Sequence, residues 1–151
     1  MKSSTHYGGL VMTWIRIDKT AHTDERVRAI CYGCGSLAMK HTWSYLRVSD
    51  KFCKRVISEI TEDGSAFYYA SISKAHARLI GIAVMGTEQR RGLGKMALFR
   101  LLSQLKAIGV YKLTLRTSSH EEAQFFWLSV GAAIVGYDPK SEDYEMEINF
   151  N

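Results

Sequence analysis

The sequence has little of several features that define whole classes of protein. It has one proline, Pro139, and its 23% charged and 46% apolar residues are ordinary for a folded domain, which argues against a disordered chain. No apolar run reaches about 18 residues, the length that a membrane-spanning helix needs. The polar stretch over residues 1–9 has no hydrophobic signal region. These absences predict a cytoplasmic protein without membrane contact.

Cysteines are few and odd in number. They are Cys31, Cys34 and Cys53, and an odd count without an export signal argues against a disulfide framework. Cys31 and Cys34 form a Cys-x-x-Cys pair, but the sequence offers no second pair to complete a zinc site and no thioredoxin-like context. We therefore predict no metal and interpret both residues as small buried side chains at the end of a helix.

Positive charge is in moderate excess. The 151 residues carry a net charge of +5, and the pI is about 9.2, but the basic residues are scattered and no nucleic-acid motif accompanies them. A basic entrance for an anionic ligand explains the excess, and nucleic-acid binding remains the weaker alternative. The length predicts a single domain.

A strand, a basic turn with glycines and a helix form the centre of the sequence. Residues 79–85 are continuously apolar and predict a buried strand. Residues 95–106 carry leucines at i, i+3, i+4 and i+7, which predicts a helix with one apolar face. The turn between them comprises Gln89, Arg90, Arg91, Gly92, Leu93, Gly94 and Lys95.

This turn has the properties of an anion site. The start of a helix offers unpaired N–H donors and the positive end of the helix dipole, and glycines let a ligand approach the backbone closely. The expected ligand is a phosphate or diphosphate, although glycines at a helix start also serve plain turns. A Walker A loop is excluded by Gln89 and Met96, and Ala97 gives only an offset match to the dinucleotide fingerprint.

The same turn resembles the acyl-CoA-binding motif of the GNAT superfamily of N-acyltransferases. That motif is Gln/Arg-x-x-Gly-x-Gly/Ala after a strand that ends in an apolar residue. Gln89, Gly92 and Gly94 match it, and Val84 lies at the usual distance before it. The resemblance implies an α/β (α+β) fold in which a mixed, mostly antiparallel sheet of seven strands is flanked by about four helices. Residues 11–151 would form this domain, after a flexible leader over residues 1–10.

The resemblance also implies acetyl-CoA as the acyl donor. The main-chain groups of Ile82, Ala83 and Val84 are expected to pair with the pantetheine arm, and the amides from Gln89 to Lys95 to hold the pyrophosphate. In the family, the strand that would correspond to residues 112–116 diverges from its neighbour and leaves a gap for this arm. The helices near the N-terminus help to shape the acceptor site. A homodimer is left open.

Other patterns place the remaining elements. Asp24 or Thr23 is a candidate cap for a helix that Gly33 and Gly35 would close. Thr61 to Gly64 is a hairpin signal. A second helix is predicted over residues 36–46. Further strands are predicted over residues 11–18, 56–60, 66–72, 132–137 and 144–150.

A second helix signature of the family, Asn-x-x-Ala-x-x-Leu-Tyr-x-x-x-Gly-Phe, is matched in part. Ala123 and Gly131 fit, and Phe126, which replaces the leucine, is expected among the cofactor-binding residues. His120 replaces the asparagine. Trp127 stands at the position of the tyrosine that supplies a proton in many relatives, and an indole N–H has no useful acidity.

The catalytic residues therefore stay open. Acyl transfer needs a neutral amine, a polarised thioester carbonyl and a proton for the departing thiolate. Ser118 and Tyr137 are candidates for the proton donor. Glu59, at the end of a neighbouring strand, and a water relay are candidate substitutes for the base, since no glutamate interrupts residues 79–85. The predicted function is transfer of an acetyl group to a primary amine of a small molecule or protein. The alternatives are a non-catalytic acyl-CoA-binding or regulatory module and a basic protein associated with nucleic acid.

Overall fold

Eight strands form one sheet in the computed structural model, which describes residues 2–7, 10–86, 92–118 and 121–150. In chain order they are β1 (Lys2–Tyr7), β2 (Leu10–Arg16), β3 (Val56–Thr61), β4 (Ala66–Ser73), β5 (His76–Val84), β6 (Lys112–Ser118), β7 (Ala133–Asp138) and β8 (Asp143–Asn149). Their order across the sheet is β1-β2-β3-β4-β5-β6-β8-β7, and only β5 and β6 run parallel. The predicted mixed, mostly antiparallel sheet is confirmed.

Helices cover both faces of this sheet. The α-helices in the described residues are α1 (Glu25–Gly33), α2 (Leu37–Phe52), α3 (Leu93–Ala107) and α4 (Glu121–Ser129), and a 3-10 helix spans Asp18–Thr23. Two hydrophobic clusters form, one with α3 and Trp127 of α4, the other with α1 and α2. Because side chains alternate along a strand, Tyr68 of β4 joins the first cluster and Tyr69 joins the second. The sheet thus separates an α3/α4 face from an α1/α2 face.

The first helix follows its sequence signals. The Asp24 carboxylate accepts hydrogen bonds from the backbone N–H groups of Arg26 and Val27, so it caps α1 as predicted. Cys31 and Cys34 are both buried at the end of this helix, as predicted. Burial, and then the neighbouring Cys34, raises the pKa of the Cys31 thiol to about 12, so this side chain behaves as a small apolar residue.

Two features of the fold differ from the sequence expectations. Residues 2–7 form β1, an edge strand paired in register with β2, where a leader was expected, and the sheet therefore has eight strands where seven were expected. The missed strand reads Lys-Ser-Ser-Thr-His-Tyr, and a polar edge strand has almost no hydrophobic alternation to reveal it. The second difference is that α2 continues to Phe52, beyond the predicted end at residue 46.

In the described part of the chain, no helix combines the length and apolar character that spanning a bilayer would require.

Candidate functional site

A gap opens in the sheet between β5 and β6. The two strands pair only from His76 to Arg78 and from Lys112 to Thr114. β5 nevertheless continues to Val84, and β6 continues to Ser118. The space between these two unpaired ends is called the gap below. The divergence that the family resemblance implied is therefore present.

A bulge in β5 accounts for the divergence. Tyr69 of β4 lies opposite Gly81, but the next residue, Ala70, lies opposite Leu79. Ile80 is thus an extra residue without a partner in β4. Such an insertion bends the strand that carries it, and here it follows Arg78, the last residue of β5 that pairs with β6. The bulge turns the second half of β5 away from its parallel neighbour.

Alternation along β5 decides which main-chain groups face the gap. The Met85 N–H donates to the Ser65 carbonyl of the β4 side at 2.9 Å. Ala83, two residues earlier, also directs its polar groups toward β4, because orientation repeats every second residue. Ile82 and Val84 consequently direct their N–H and C=O groups toward the gap. Of the three residues predicted to pair with pantetheine, the geometry favours the first and third.

The first turn of α3 presents backbone N–H donors that no side chain of the described residues caps. Gly92 precedes the helix with φ of 78°, in the left-handed region that favours glycine. The first helical bond runs from the Met96 N–H to the Gly92 carbonyl at 3.1 Å. The N–H groups of Leu93, Gly94 and Lys95 therefore belong to the turn that has no partner inside the helix. The predicted residues Gln89, Arg90 and Arg91 lie outside the described residues.

Close packing places this turn beside α4. A Cβ atom on Gly94 would lie 3.2 Å from Cε1 of Phe126, so a larger residue here would require that ring to shift by a few tenths of an ångström. Phe126 also meets Trp127 edge to face, with ring centroids 5.0 Å apart. Because α3 follows β5 and α4 follows β6, this contact brings the helix start and the gap to the same end of the sheet. Phe126 stands where a cofactor residue was expected.

Trp127, at the usual tyrosine position, is a core residue. Its side chain is 7% exposed and belongs to the cluster under α3. It therefore packs the sheet, and no acid is supplied from this position.

Glu59 was expected at a strand end but lies in the middle of β3. It is 2% exposed, and its two carboxylate oxygens accept from Nε and Nη2 of Arg100 at 2.8 and 2.9 Å. The Tyr68 hydroxyl donates to it as well, and burial, followed by Glu59, raises the pKa of this phenol. These contacts fasten α3 to β3 and leave Glu59 two strands away from the gap.

The two candidate proton donors lie in different places. Ser118 is the last residue of β6 and lies at the end of that strand that no longer pairs with β5. Tyr137 lies on β7, the edge strand, where its ring is half exposed and 5.0 Å from that of Tyr144. Because β8 separates β7 from β6, the gap lies next to Ser118 and not next to Tyr137.

A buried carboxylate on the α1/α2 face, Asp50, was not among the residues that the sequence singled out. Asp50 of α2 is 4% exposed. It accepts from the Tyr69 hydroxyl at 2.7 Å and from the His22 backbone N–H at 2.9 Å, and His22 Nδ1 lies 2.5 Å from the same carboxylate. These contacts join α2, the 3-10 helix and β4. A Cβ atom on Gly81 would lie 3.0 Å from Met39 Cε, so α2 crosses β5 directly beside the gap.

A charged cluster marks the point where β5 and β6 separate. Arg78 donates from Nη1 and Nη2 to the two carboxylate oxygens of Glu145 at 2.7 and 2.9 Å, and Arg116 Nε adds a third bond at 3.2 Å. The hydrogen bonds from Arg78 are the first cause that lowers the pKa of the Glu145 carboxyl. The cluster holds β8 to the paired end of β5 across β6.

The comparisons with known proteins agree with this geometry. Residues 34–132 match the family model described as "Acetyltransferase (GNAT) family". The fold is similar to the PaiA N-acetyltransferase of Thermoplasma acidophilum, solved in complex with coenzyme A, at 14% identity and a TM-score of 0.71, over 93% of this chain and 100% of that one.

Two further solved structures share the fold. Ard1 of Thermoplasma volcanium is 18% identical with a TM-score of 0.70, over 93% of this chain and 98% of that one. The IAA acetyltransferase of Bacillus cereus is 17% identical with a TM-score of 0.67, over 92% and 99%. No curated protein matches the sequence. At these identities the likeness establishes the fold.

Proposed function

Because the chain belongs to the GNAT family of acetyltransferases, we propose that it transfers an acetyl group from acetyl-CoA to a primary amine of a small molecule or protein. The observation that carries the proposal is the gap between β5 and β6 with the uncapped start of α3 at the same end. An extended thioester arm needs hydrogen-bonding partners along its length, and its diphosphate needs a concentration of donors. The chain supplies both.

The diphosphate is assigned to the first turn of α3. The N–H groups of Leu93, Gly94 and Lys95 point out of the helix start, and the helix dipole adds partial positive charge there. Lys95 contributes a full charge. Arg90 and Arg91 come shortly before α3 in the sequence and would raise the local positive charge further.

The pantetheine arm is assigned to the gap, where Ile82 offers a donor and an acceptor. An amine that enters from the α1/α2 face would meet the thioester between β5 and β6, and holding both reactants in this geometry supplies much of the acceleration. A main-chain N–H of β5 can polarise the thioester carbonyl as negative charge develops on its oxygen. Ser118, at the end of β6, is the group that we assign to protonating the departing thiolate, with water as the substitute.

A non-catalytic acyl-CoA-binding module is the second candidate. It is favoured by Trp127, which is buried at the position where many relatives carry a tyrosine acid. Such a module would bind acetyl-CoA in the same gap but would not consume it with any amine.

Calorimetric titration with acetyl-CoA tests the binding site. Gly92→Asp places a carboxylate at the start of α3, and we expect a loss of affinity of roughly a hundredfold, because like charge then opposes the diphosphate at short range. Gly109→Asp is the matched control: it lies after the other end of α3, also has positive φ (86°), and its Cβ would meet nothing within 4 Å. Equal affinity in both variants would place the diphosphate elsewhere.

An assay of thiol release separates the two candidates. Acetyl-CoA is supplied with a panel of peptides with free N-termini, polyamines and aminoglycosides, and the enzyme hypothesis expects release of free coenzyme A with at least one of them. Silence over the whole panel, in a protein that binds acetyl-CoA by calorimetry, would support the binding module and count against catalysis.

A further inference from the structure

The outer face of α2 is uncovered and carries two parallel rows of side chains. The apolar row consists of Tyr45, Val48 and Phe52, and the imidazole of His41 continues the strip one turn toward the start of the helix. Tyr45, Val48 and Phe52 are 64%, 51% and 70% exposed. Large apolar side chains seldom gather on one exposed strip unless it contacts something.

From His41 through the three members of the apolar row, the steps are four, three and four residues. This alternation is the spacing of a coiled-coil seam, in which one row of side chains meets a second helix. The inward residues of α2, such as Met39 and Leu46, fall on the opposite side and are buried. The apolar row is therefore not part of the core of this domain.

The second row is basic and has no neutralising partner. The basic row consists of Lys40, Arg47 and Lys51, all exposed, and Lys54 and Arg55 follow directly after the helix. From residue 37 to 55 the only acidic residue is Asp50, which is buried.

No basic residue of this stretch has an acidic partner in the described part of the chain. Within the described residues, none of these five basic residues forms an ion pair, whereas seven others do: Lys2, Arg16, Arg26, Arg78, Arg100, Lys112 and Arg116. Elsewhere in the described chain, then, basic side chains often have a carboxylate nearby. The basic row of α2 is therefore available to carboxylates of another molecule.

We propose that the outer face of α2 docks an acidic amphipathic helix of a partner protein. The apolar row supplies a seam for the partner's apolar side chains, and the basic row faces its carboxylates. A second copy of α2 packed antiparallel in this position would bring the two basic rows together, so self-association in that orientation is disfavoured.

The spacing favours a helix over nucleic acid. Tyr45 and Phe52 are separated by seven residues, which is about 10 Å along a helix axis, whereas stacked bases along one strand rise by about 3.4 Å. The two rings therefore cannot hold successive bases, and Val48 between them offers no ring. A membrane surface is disfavoured because the basic row flanks the apolar row on one side only.

Titration of the full chain with a synthetic acidic peptide tests the proposal. The peptide has about three heptads, with leucine in the seam positions and glutamate elsewhere, a length at which a helix can form. The comparison peptide has the same composition, shuffled so that its leucines no longer share a face. We expect the first peptide to bind more tightly by roughly tenfold, because only it can use the apolar row.

Two variants locate the binding. Lys40→Glu, Arg47→Glu and Lys51→Glu together reverse the basic row, and Tyr45→Ser, Val48→Ser and Phe52→Ser together remove the apolar row. Each triple variant should lower the affinity for the amphipathic peptide roughly tenfold or more. The matched control, Lys19→Glu, Lys106→Glu and Lys140→Glu, changes net charge equally at exposed positions outside α2 and should leave affinity within about twofold. Thermal melting verifies that all three variants fold.

Several results would overturn the proposal. Equal binding of the shuffled peptide would reduce the effect to unspecific charge attraction, as would equal weakening in the control variant. Tighter binding of poly(U) RNA, or of phosphatidylserine vesicles, through the same α2 residues would assign the face to nucleic acid or to a membrane. Absence of binding by the amphipathic peptide would also contradict it.

Discussion

The two halves of β5 have different neighbours. From His76 to Arg78 the strand has β4 on one side and β6 on the other, whereas from Leu79 to Val84 it has β4 alone. The first half is secured further by Arg78 and Glu145. The difference teaches that one strand can serve structure at one end and ligand binding at the other, and that a single inserted residue, Ile80, separates the two roles.

Deleting Ile80 should have the largest effect, because it removes this separation. Leu79 and Gly81 would then be consecutive opposite Ala70 and Tyr69, and every other pairing with β4 would be kept. We expect the gap to close and acetyl-CoA affinity to fall by roughly a hundredfold, the equivalent of two or three hydrogen bonds. Calorimetry measures the affinity, and hydrogen exchange of the β5 and β6 amides reports the closure.

Ile80→Ala is the control for the deletion, since it keeps the bulge and shortens only the side chain. Its affinity for acetyl-CoA should stay within a few-fold of the parent protein. If the deletion binds acetyl-CoA as well as Ile80→Ala does, the bulge does not create the binding gap.

Ser118→Ala should have the next largest effect, on turnover. Ser118 lies at the open end of β6, and loss of its hydroxyl should lower kcat roughly tenfold with little change in acetyl-CoA affinity, since water can take over part of the proton transfer. Tyr137→Phe, on the edge strand, serves as the comparison and should be close to neutral. The reverse ranking of the two variants would move the proton donor to Tyr137.

Arg78→Ala should lower the stability of the protein at the paired half of β5 and leave acetyl-CoA binding at the unpaired half unchanged. It removes two hydrogen bonds to Glu145, and because both side chains are about a third exposed, we expect a loss of about 1 kcal/mol in the free energy of unfolding. Urea denaturation measures this, and acetyl-CoA affinity should change less than about twofold. A variant of unchanged stability that binds acetyl-CoA poorly would show that the two halves are not independent.

The smallest expected effect is a dependence of stability on pH. Arg78 lowers the pKa of Glu145 in the folded protein, so this group stabilises the fold above its unfolded pKa, and that contribution is lost as the pH falls through the folded value. Urea midpoints between about pH 6 and pH 3 should therefore decline less in Glu145→Gln than in the parent protein. Parallel declines would mean that this carboxyl is not selectively stabilised.

Local patterns were sufficient for much of the fold. The apolar strand before the glycines, the leucine face of α3 and the Asp24 cap of α1 each depend on residues within a few positions of one another, and the structure has them as expected. Such features are written in periodicity and capping chemistry, which act over one or two turns.

The geometry of the site depends on residues far apart in the sequence. The bulge is defined by how β4 and β5 pair, and Gly81 inside the predicted strand is only a weak local signal for it. Glu59 and Arg100 are 41 positions apart, and Asp50 and His22 are 28 apart, so their contacts exist only once the sheet has formed. The candidate base was therefore misplaced, and Asp50 was overlooked, for the same reason.

β1 was missed for a different reason. Its pattern is polar, but Gly8 and Gly9 separate two strand-length segments in the sequence, and paired glycines are a common hairpin signal. The glycine pair therefore indicates a hairpin that includes β1, although the side chains of β1 show no strand pattern.

The consecutive residues Tyr68 and Tyr69 fix the register of β4 in the sheet. Their hydroxyls reach carboxylates on opposite sides of the sheet, Glu59 on one side and Asp50 on the other. A shift of β4 by one residue would exchange the faces on which the two tyrosines lie. Both buried carboxylates would then lose their hydrogen bond from a tyrosine hydroxyl. Only one alignment of the strands satisfies both, and the opening beside β5 is thereby protected from being lost through slippage.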